Sequence, residues 1–423
     1  MWIKNLKIEN FRCFAQQLLE LQEGANILIG DNATGKTSIL EALKIALGSF
    51  YFGIDASQAT SPSISQNRDV RLIQNERGQW DAHRPVKVKA EGNVFGTEVV
   101  WERALNSAKG KTTTGLLADL KEAIHNAYNT EESLSLPLLA YYSTARLQSQ
   151  RKETEPFRQG ERYEAYYNAL EASSTVSRFK QWFENQDRIS YQEGQQTSAL
   201  RSVSRAIQNC LPNCDRISYD ARLTEIVIMA EDGTKTPFPL MSDGYQLITA
   251  MVGDIAYRCA VLNAHLEERC LEDTPGVVLI DEIEMHLHPS WQQRVVNDLA
   301  RTFPKIQFVI TTHSPIVLGG AKANVIRLGD PNAEDNTPES GVLAYGRSPE
   351  HIMYGEQGVK TRPTEIVNRI KEFYSLLEKK EMEEAEKILQ SLFIQGFGED
   401  DPDTVQAQRN YDFALWEMEN EGE

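Results

Sequence analysis

Residues Gly30-Asp31-Asn32-Ala33-Thr34-Gly35-Lys36-Thr37 fit the pattern G-x-x-x-x-G-K-[ST], and no other stretch of the chain restricts its fold as much. The pattern works only where a strand ends and a helix begins. Both flanks are supplied: ANILIG is a short apolar run closed by a glycine, and TSILEALKIALGSF spaces its apolar residues by three and four. In that context the glycines let the backbone curl so that N–H groups face phosphate oxygens. Lys36 supplies a cation for the β and γ oxygens, and Thr37 a hydroxyl for Mg²⁺. Asn32 and Ser38, in and beside the loop, join Gly30, Gly35, Lys36 and Thr37 as the residues expected to hold ATP.

A phosphate loop needs a second carboxylate for the metal and, if it hydrolyses, a base for the attacking water. GVVLI-Asp281-Glu282 offers both at the end of an apolar strand, Asp281 for Mg²⁺ and Glu282 for the water. The next apolar strand, QFVITT, ends in His313 before Ser314-Pro315, where an imidazole can sense a γ-phosphate. Strands alternating with helices predict an α/β fold with a mostly parallel sheet covered on both faces. PVKVKAEG and GTEVVWERAL alternate as an antiparallel hairpin does, residues 51–81 read as a loop, and Arg146 to Asp220 has helical periodicity.

Apolar residues at 41% and charged ones at 25% exclude general disorder. No run reaches the eighteen or so apolar residues of a membrane span, the start lacks a signal peptide, and five scattered cysteines suit a reducing compartment, so a cytoplasmic location with no membrane partner is expected. The net charge of −17 argues against a chain coated for nucleic acid. From Lys371 to Glu423 there are five basic and fifteen acidic residues, so most of the excess lies in the tail and a local basic groove elsewhere is allowed.

These motifs, in this order, resemble the ABC ATPases that act on DNA ends and chromosomes, the RecF, Rad50 and SMC group. The resemblance rests on IENFRCF, the phosphate loop, the signature-like Leu240-Met241-Ser242-Asp243-Gly244-Tyr245-Gln246, Asp281-Glu282 and His313. It implies that Ser242 and Gly244 contact the γ-phosphate held by another subunit, so that two copies pair head to tail or build a higher oligomer. It also implies that Arg12 lies near the nucleotide, and that Glu284 to His288 form the loop touching the partner. IDEIEMHLHPSWQ, TTHSPIVL, AYYSTARL and LMSDGYQ look most like the Septu-type anti-phage ATPases, some accompanying retrons. That implies a separate HNH nuclease partner, and contact with DNA or a retron RNA–DNA complex.

The sequence departs from the family pattern at Ala33, where a glycine is usual, and at Asp243 and Tyr245 in the signature. Arg146 and Gln148 are candidates for the family's Q-loop position, with a solvated loop as the alternative. The expected layout is an ATPase lobe over 1–145, a helical insertion over 146–222, a second lobe over 223–346 with signature, Asp281-Glu282 and switch histidine, and a helical acidic segment over 347–423. A RecF-like DNA clamp is the competing function. Between Arg146 and Arg222 twelve basic residues against ten acidic leave little for it.

Overall fold

The computed structural model describes residues 1–54, 59–115, 117–130, 133–144, 161–171, 176–333, 336–355, 364–392 and 401–420. The candidate Q-loop positions Arg146 and Gln148 lie outside them.

The chain opens with β1 (Trp2–Phe11), β2 (Phe14–Glu20) and β3 (Ala25–Ile29), and the phosphate loop leads into α1 (Lys36–Leu47). A small hairpin, β4 (Arg71–Gln74) and β5 (Trp80–His83), occupies part of the stretch read as loop. The hairpin read from alternation is β6 (Val86–Val94) and β7 (Thr97–Leu105), followed by β8 (Thr113–Gly115), α2 (Leu117–Thr130) and β9 (Leu138–Tyr142). Helices α3 (Val176–Glu193) and α4 (Ser198–Cys210) come next. They lead to a meander of β10 (Cys214–Asp220), β11 (Glu225–Ala230) and β12 (Lys235–Pro237), so the end of the range with helical periodicity is a strand.

Past the signature the chain runs through α5 (Asp243–Leu262), α6 (Cys270–Asp273), β13 (Gly276–Ile280), α7 (Pro289–Gln292), α8 (Val295–Thr302), β14 (Ile306–Thr311), α9 (Pro315–Gly320), β15 (Asn324–Arg327) and β16 (Glu339–Ser340). Helices α10 (Pro349–Gly355), α11 (Thr364–Glu378), α12 (Met382–Leu392) and α13 (Pro402–Asn420) follow.

Six strands form the central sheet in the order β16-β15-β3-β14-β13-β9, parallel except for β16. Its inner strands are continuous apolar runs because both faces are covered: every residue of β3, β9, β13 and β14 is buried. A second sheet, β2-β1-β6-β7-β8, is antiparallel. Alternation predicts its strands but not that they leave the parallel sheet, since a period of two says which face is buried and not which neighbour pairs.

Helix α1 touches β1, β6 and β7 of the antiparallel sheet and β13 and β14 of the central one. The Trp101 indole on β7 donates to the Ala46 carbonyl at 2.9 Å. Gln307 fastens the sheets directly. Buried on β14, its amide accepts from Ile3 N–H and donates to Ile3 O, both at 2.8 Å. The strand that ends in the phosphate loop thus sits beside β14, and β14 beside β13, so three site-bearing turns emerge together at the carboxyl edge of the sheet.

Helix α5, carrying the signature at its start, is fixed to β9 by buried charge. Tyr142 Oη donates to Asp254 Oδ2 at 2.7 Å and Arg258 Nε donates to the same oxygen at 2.8 Å, while Arg258 Nη1 donates to Ala165 O. The ion pair is buried with hydrogen bonds around it, which is the condition for burying charge at all. Contacts divide the chain into a unit of Met1–Ile352 and one of Met353–Glu423. In the second unit Phe373, Ala385, Leu389 and Ala407 make a small core, with Tyr411 packed on it.

Candidate functional site

A cavity of about 390 Å³ opens at the carboxyl edge of β3, β14 and β13. Asn32, Ala33, Gly35, Lys36, Thr37 and Ser38 line it from the phosphate loop, Asp281 and Glu282 from the turn after β13, Thr311 and His313 from the end of β14, and Arg12 and Cys13 from the turn after β1. Gly30 does not line the cavity but sits beside it, its carbonyl accepting from Lys36 Nζ. Of the residues singled out from sequence, Arg12, Asn32, Gly35, Lys36, Thr37, Ser38, Asp281, Glu282 and His313 thus meet in one place.

The loop curls through left-handed backbone: Gly30 has φ +148°, Ala33 +72° and Gly35 +92°. Ala33 adopts the glycine-like turn at a cost of roughly 1 kcal/mol. Gly35 is required twice, because a Cβ there would fall 2.4 Å from Phe14 Cζ and 2.8 Å from Cys13 Sγ. Lys36 Nζ donates to Gly30 O at 2.7 Å and to Asp31 O at 2.9 Å. Burial lowers the Lys36 pKa below the ordinary lysine value, opposed by the carboxylates of Asp281, Asp31, Glu282 and Glu284. The ammonium is therefore folded onto its own loop, with the cavity in front of it.

Thr37 Oγ1 donates to Asp281 Oδ2 at 3.0 Å. One hydroxyl and one carboxylate are hard oxygen donors of the kind Mg²⁺ takes together with phosphate oxygens and water. Among the described residues no cluster of three or more His, Cys, Asp or Glu could hold a metal by itself. The donor set fits a metal that arrives with a nucleotide.

Arg12, at φ +50°, donates through Nε to Asp69 Oδ1 at 2.9 Å; its Nη2 lies 2.9 Å from the same oxygen and 3.5 Å from Glu41 Oε2. Asp69 is buried. It lies in the segment read as a loop, and nothing local in the sequence marks it. Thr311 and Glu284 also escaped a role here. Thr311 Oγ1 donates to Asp281 Oδ1 at 2.6 Å, while Glu284 accepts from Thr312 Oγ1 at 2.7 Å and from His313 N–H at 2.6 Å.

Ser242 and Gly244 do not line this cavity. Ser242 is the N-cap of α5, yet its hydroxyl makes no capping bond and the residue is exposed. Gly244 is buried, and a Cβ on it would stand 2.4 Å from the carbonyl oxygen of His286. The loop after Glu282 thus packs directly on the start of α5, helped by an edge-on contact of the Tyr245 and Trp291 rings at 4.3 Å.

A family model described as "AAA domain, putative AbiEii toxin, Type IV TA system" matches residues 25–319, which run from β3 through α9. The chain is 24% identical to the retron Ec83 probable ATPase of Escherichia coli, over 98% of this chain and 87% of the relative. It is 23% identical to the retron Vc95 probable ATPase of Vibrio cholerae, over 77% and 73%. It is 24% identical to the Septu protein PtuA of Bacillus thuringiensis, over 92% of both chains.

Proposed function

The chain belongs to the AAA-domain family whose model spans residues 25–319, and from that premise we propose that it is the ATP-hydrolysing component of an anti-phage defence system, working as head-to-tail dimers or larger assemblies and regulating a separate HNH nuclease. The observation that carries the hydrolytic part is the convergence of Lys36, the Thr37–Asp281 pair, Glu282 and His313 on one cavity.

In this reading Lys36 exchanges its two loop carbonyls for phosphate oxygens, and the curled N–H groups of the loop donate to the remaining phosphate oxygens. Bound Mg²⁺, held by Thr37, Asp281 and the phosphates, would neutralise charge on the transferring group. Glu282 takes the proton of the attacking water, and His313 registers whether the γ-phosphate is present.

The dimer is supported by what the cavity lacks. Ser242 and the start of α5 form an anion-attracting helix end whose cap hydroxyl is used by nothing in its own helix. A γ-phosphate presented by a second copy is the ligand that family resemblance assigns to it. The nuclease partner is supported by the second unit, where 17 acidic residues face 8 basic ones. On α13, Phe413 and Trp416 are each 58% exposed and stack on one another at 6.0 Å. Exposed stacked aromatics within an acidic segment suit a basic protein surface with an apolar pocket. Tyr411 packs on the core of the unit and is not part of that anchor.

Measuring ATP binding, ATP turnover and mass in solution for the natural chain, Lys36→Ala and Glu282→Gln tests the reading. Binding in the natural chain and in Glu282→Gln, with none in Lys36→Ala, is expected. Normal turnover in Glu282→Gln would remove Glu282 from its role.

A further inference from the structure

The turns that follow β13 and β14 are joined by a short ladder of side chains. Thr311, fully buried at the last position of β14, donates through Oγ1 to Asp281 Oδ1 at 2.6 Å and accepts the Glu282 N–H at 2.8 Å. One residue on, Thr312 Oγ1 donates to Glu284 Oε2 at 2.7 Å, and His313 N–H donates to Glu284 Oε1 at 2.6 Å. Asp281, Glu282 and His313 are therefore each held by the opposite turn.

Glu282 has φ +48°. A residue with a side chain enters that region only against steric cost, and stays there only when its surroundings hold it. Here the Glu282 amide has its acceptor in the Thr311 hydroxyl, whose proton is committed to Asp281. A hydroxyl has one proton to give and lone pairs to accept with, so a single Thr satisfies both neighbours in one orientation. A valine would keep the shape and lose both bonds. Two backbone bonds lie beside these, Ile283 N–H to Thr311 O at 3.2 Å and Met285 N–H to Glu282 O at 3.1 Å.

We propose that Thr311 is a positioning residue for hydrolysis: its hydroxyl fixes the left-handed backbone that presents Glu282 to the cavity, and couples that conformation to Asp281. The proposal rests on the reading of Glu282 as the base for water. If Thr311 merely satisfied a buried strand end, its loss would lower stability without separating turnover from nucleotide binding.

The test uses the full chain with Thr311→Val and Thr311→Ser, measuring ATP turnover, affinity for a fluorescent ATP analogue and melting temperature. Thr311→Val is expected to lower kcat by about tenfold or more, within the range of a displaced general base, while affinity stays within about threefold, less than one charged hydrogen bond. Thr311→Ser, which keeps the hydroxyl, should recover most of the rate. In a Glu282→Gln background Thr311→Val should cause no further loss, because the group it positions is already gone. Should Thr311→Val not fold, Thr311→Ala takes its place in the same comparison. Natural turnover in the hydroxyl-free variant, equal damage from Val and Ser, or an independent loss in the Glu282→Gln background would overturn the proposal. A natural chain that fails to bind the ATP analogue at all would instead overturn the nucleotide reading beneath it.

Discussion

Helices α1 and α5 begin at loops whose side chains are engaged in opposite ways. At α1 the groups are engaged within the chain: Lys36 is buried and bonded to two carbonyls, and Thr37 is bonded to Asp281. At α5 the cap serine is exposed and uncommitted to its helix. An N-cap serine ordinarily bonds an amide of the first turn, worth about 1 kcal/mol. The contrast is what the proposed assembly requires: a first loop that is a nearly complete site, and a second that completes the site of another copy.

The sharpest way to break this contrast is at its complete end. Lys36→Ala should weaken ATP binding by about 100-fold or more, on the order of the 3 kcal/mol attached to a charged hydrogen-bonding group at a desolvated site. Calorimetry with ATP checks it. Next is Glu282→Gln, which should keep ATP binding, lower turnover by about 100-fold or more, and accumulate the paired form by light scattering.

How much of this was legible beforehand follows from the range of each contact. The phosphate loop is eight consecutive residues between a strand and a helix, so its chemistry is written locally. Asp281-Glu282 and His313 were legible because each ends an apolar strand. Asp69 and Thr311 were not, since Asp69 reaches Arg12 across 57 positions and Thr311 reaches Asp281 across 30. A lone Asp in a polar stretch and a Thr in a β-strand carry no mark until the fold brings them to the site. The antiparallel sheet was hidden for the same reason, as strand pairing is a long-range choice.

Breaking the open end should cost pairing and spare the loop. Ser242→Ala should weaken the ATP-bound dimer by about tenfold, the size of a hydrogen bond to a charged group, with little change in ATP affinity of the isolated chain. Mass in solution against protein concentration reads the first, and calorimetry with ATP reads the second. A further contrast lies in α13, whose early residues pack on their unit while Phe413 and Trp416 face solvent. Replacing both with Ser should lower retention of a co-expressed HNH nuclease by tenfold or more if they are a hot spot worth about 2 kcal/mol, with the melting temperature unchanged. The smallest effect is expected at Ala33→Gly. Relief of the left-handed backbone and the greater freedom of glycine when unfolded nearly cancel, leaving a stability change of about 1 kcal/mol or less.

Mixing two crippled chains tests the shared site most directly. Lys36→Ala retains an intact signature and Ser242→Arg an intact phosphate loop, so each alone should be inactive. Together they form one complete composite site per mixed pair, and ATP hydrolysis should return on mixing. A Ser242→Arg chain that hydrolyses ATP normally by itself, or a mixed pair that forms and stays inactive, would contradict the claim that one protomer completes the site of the other.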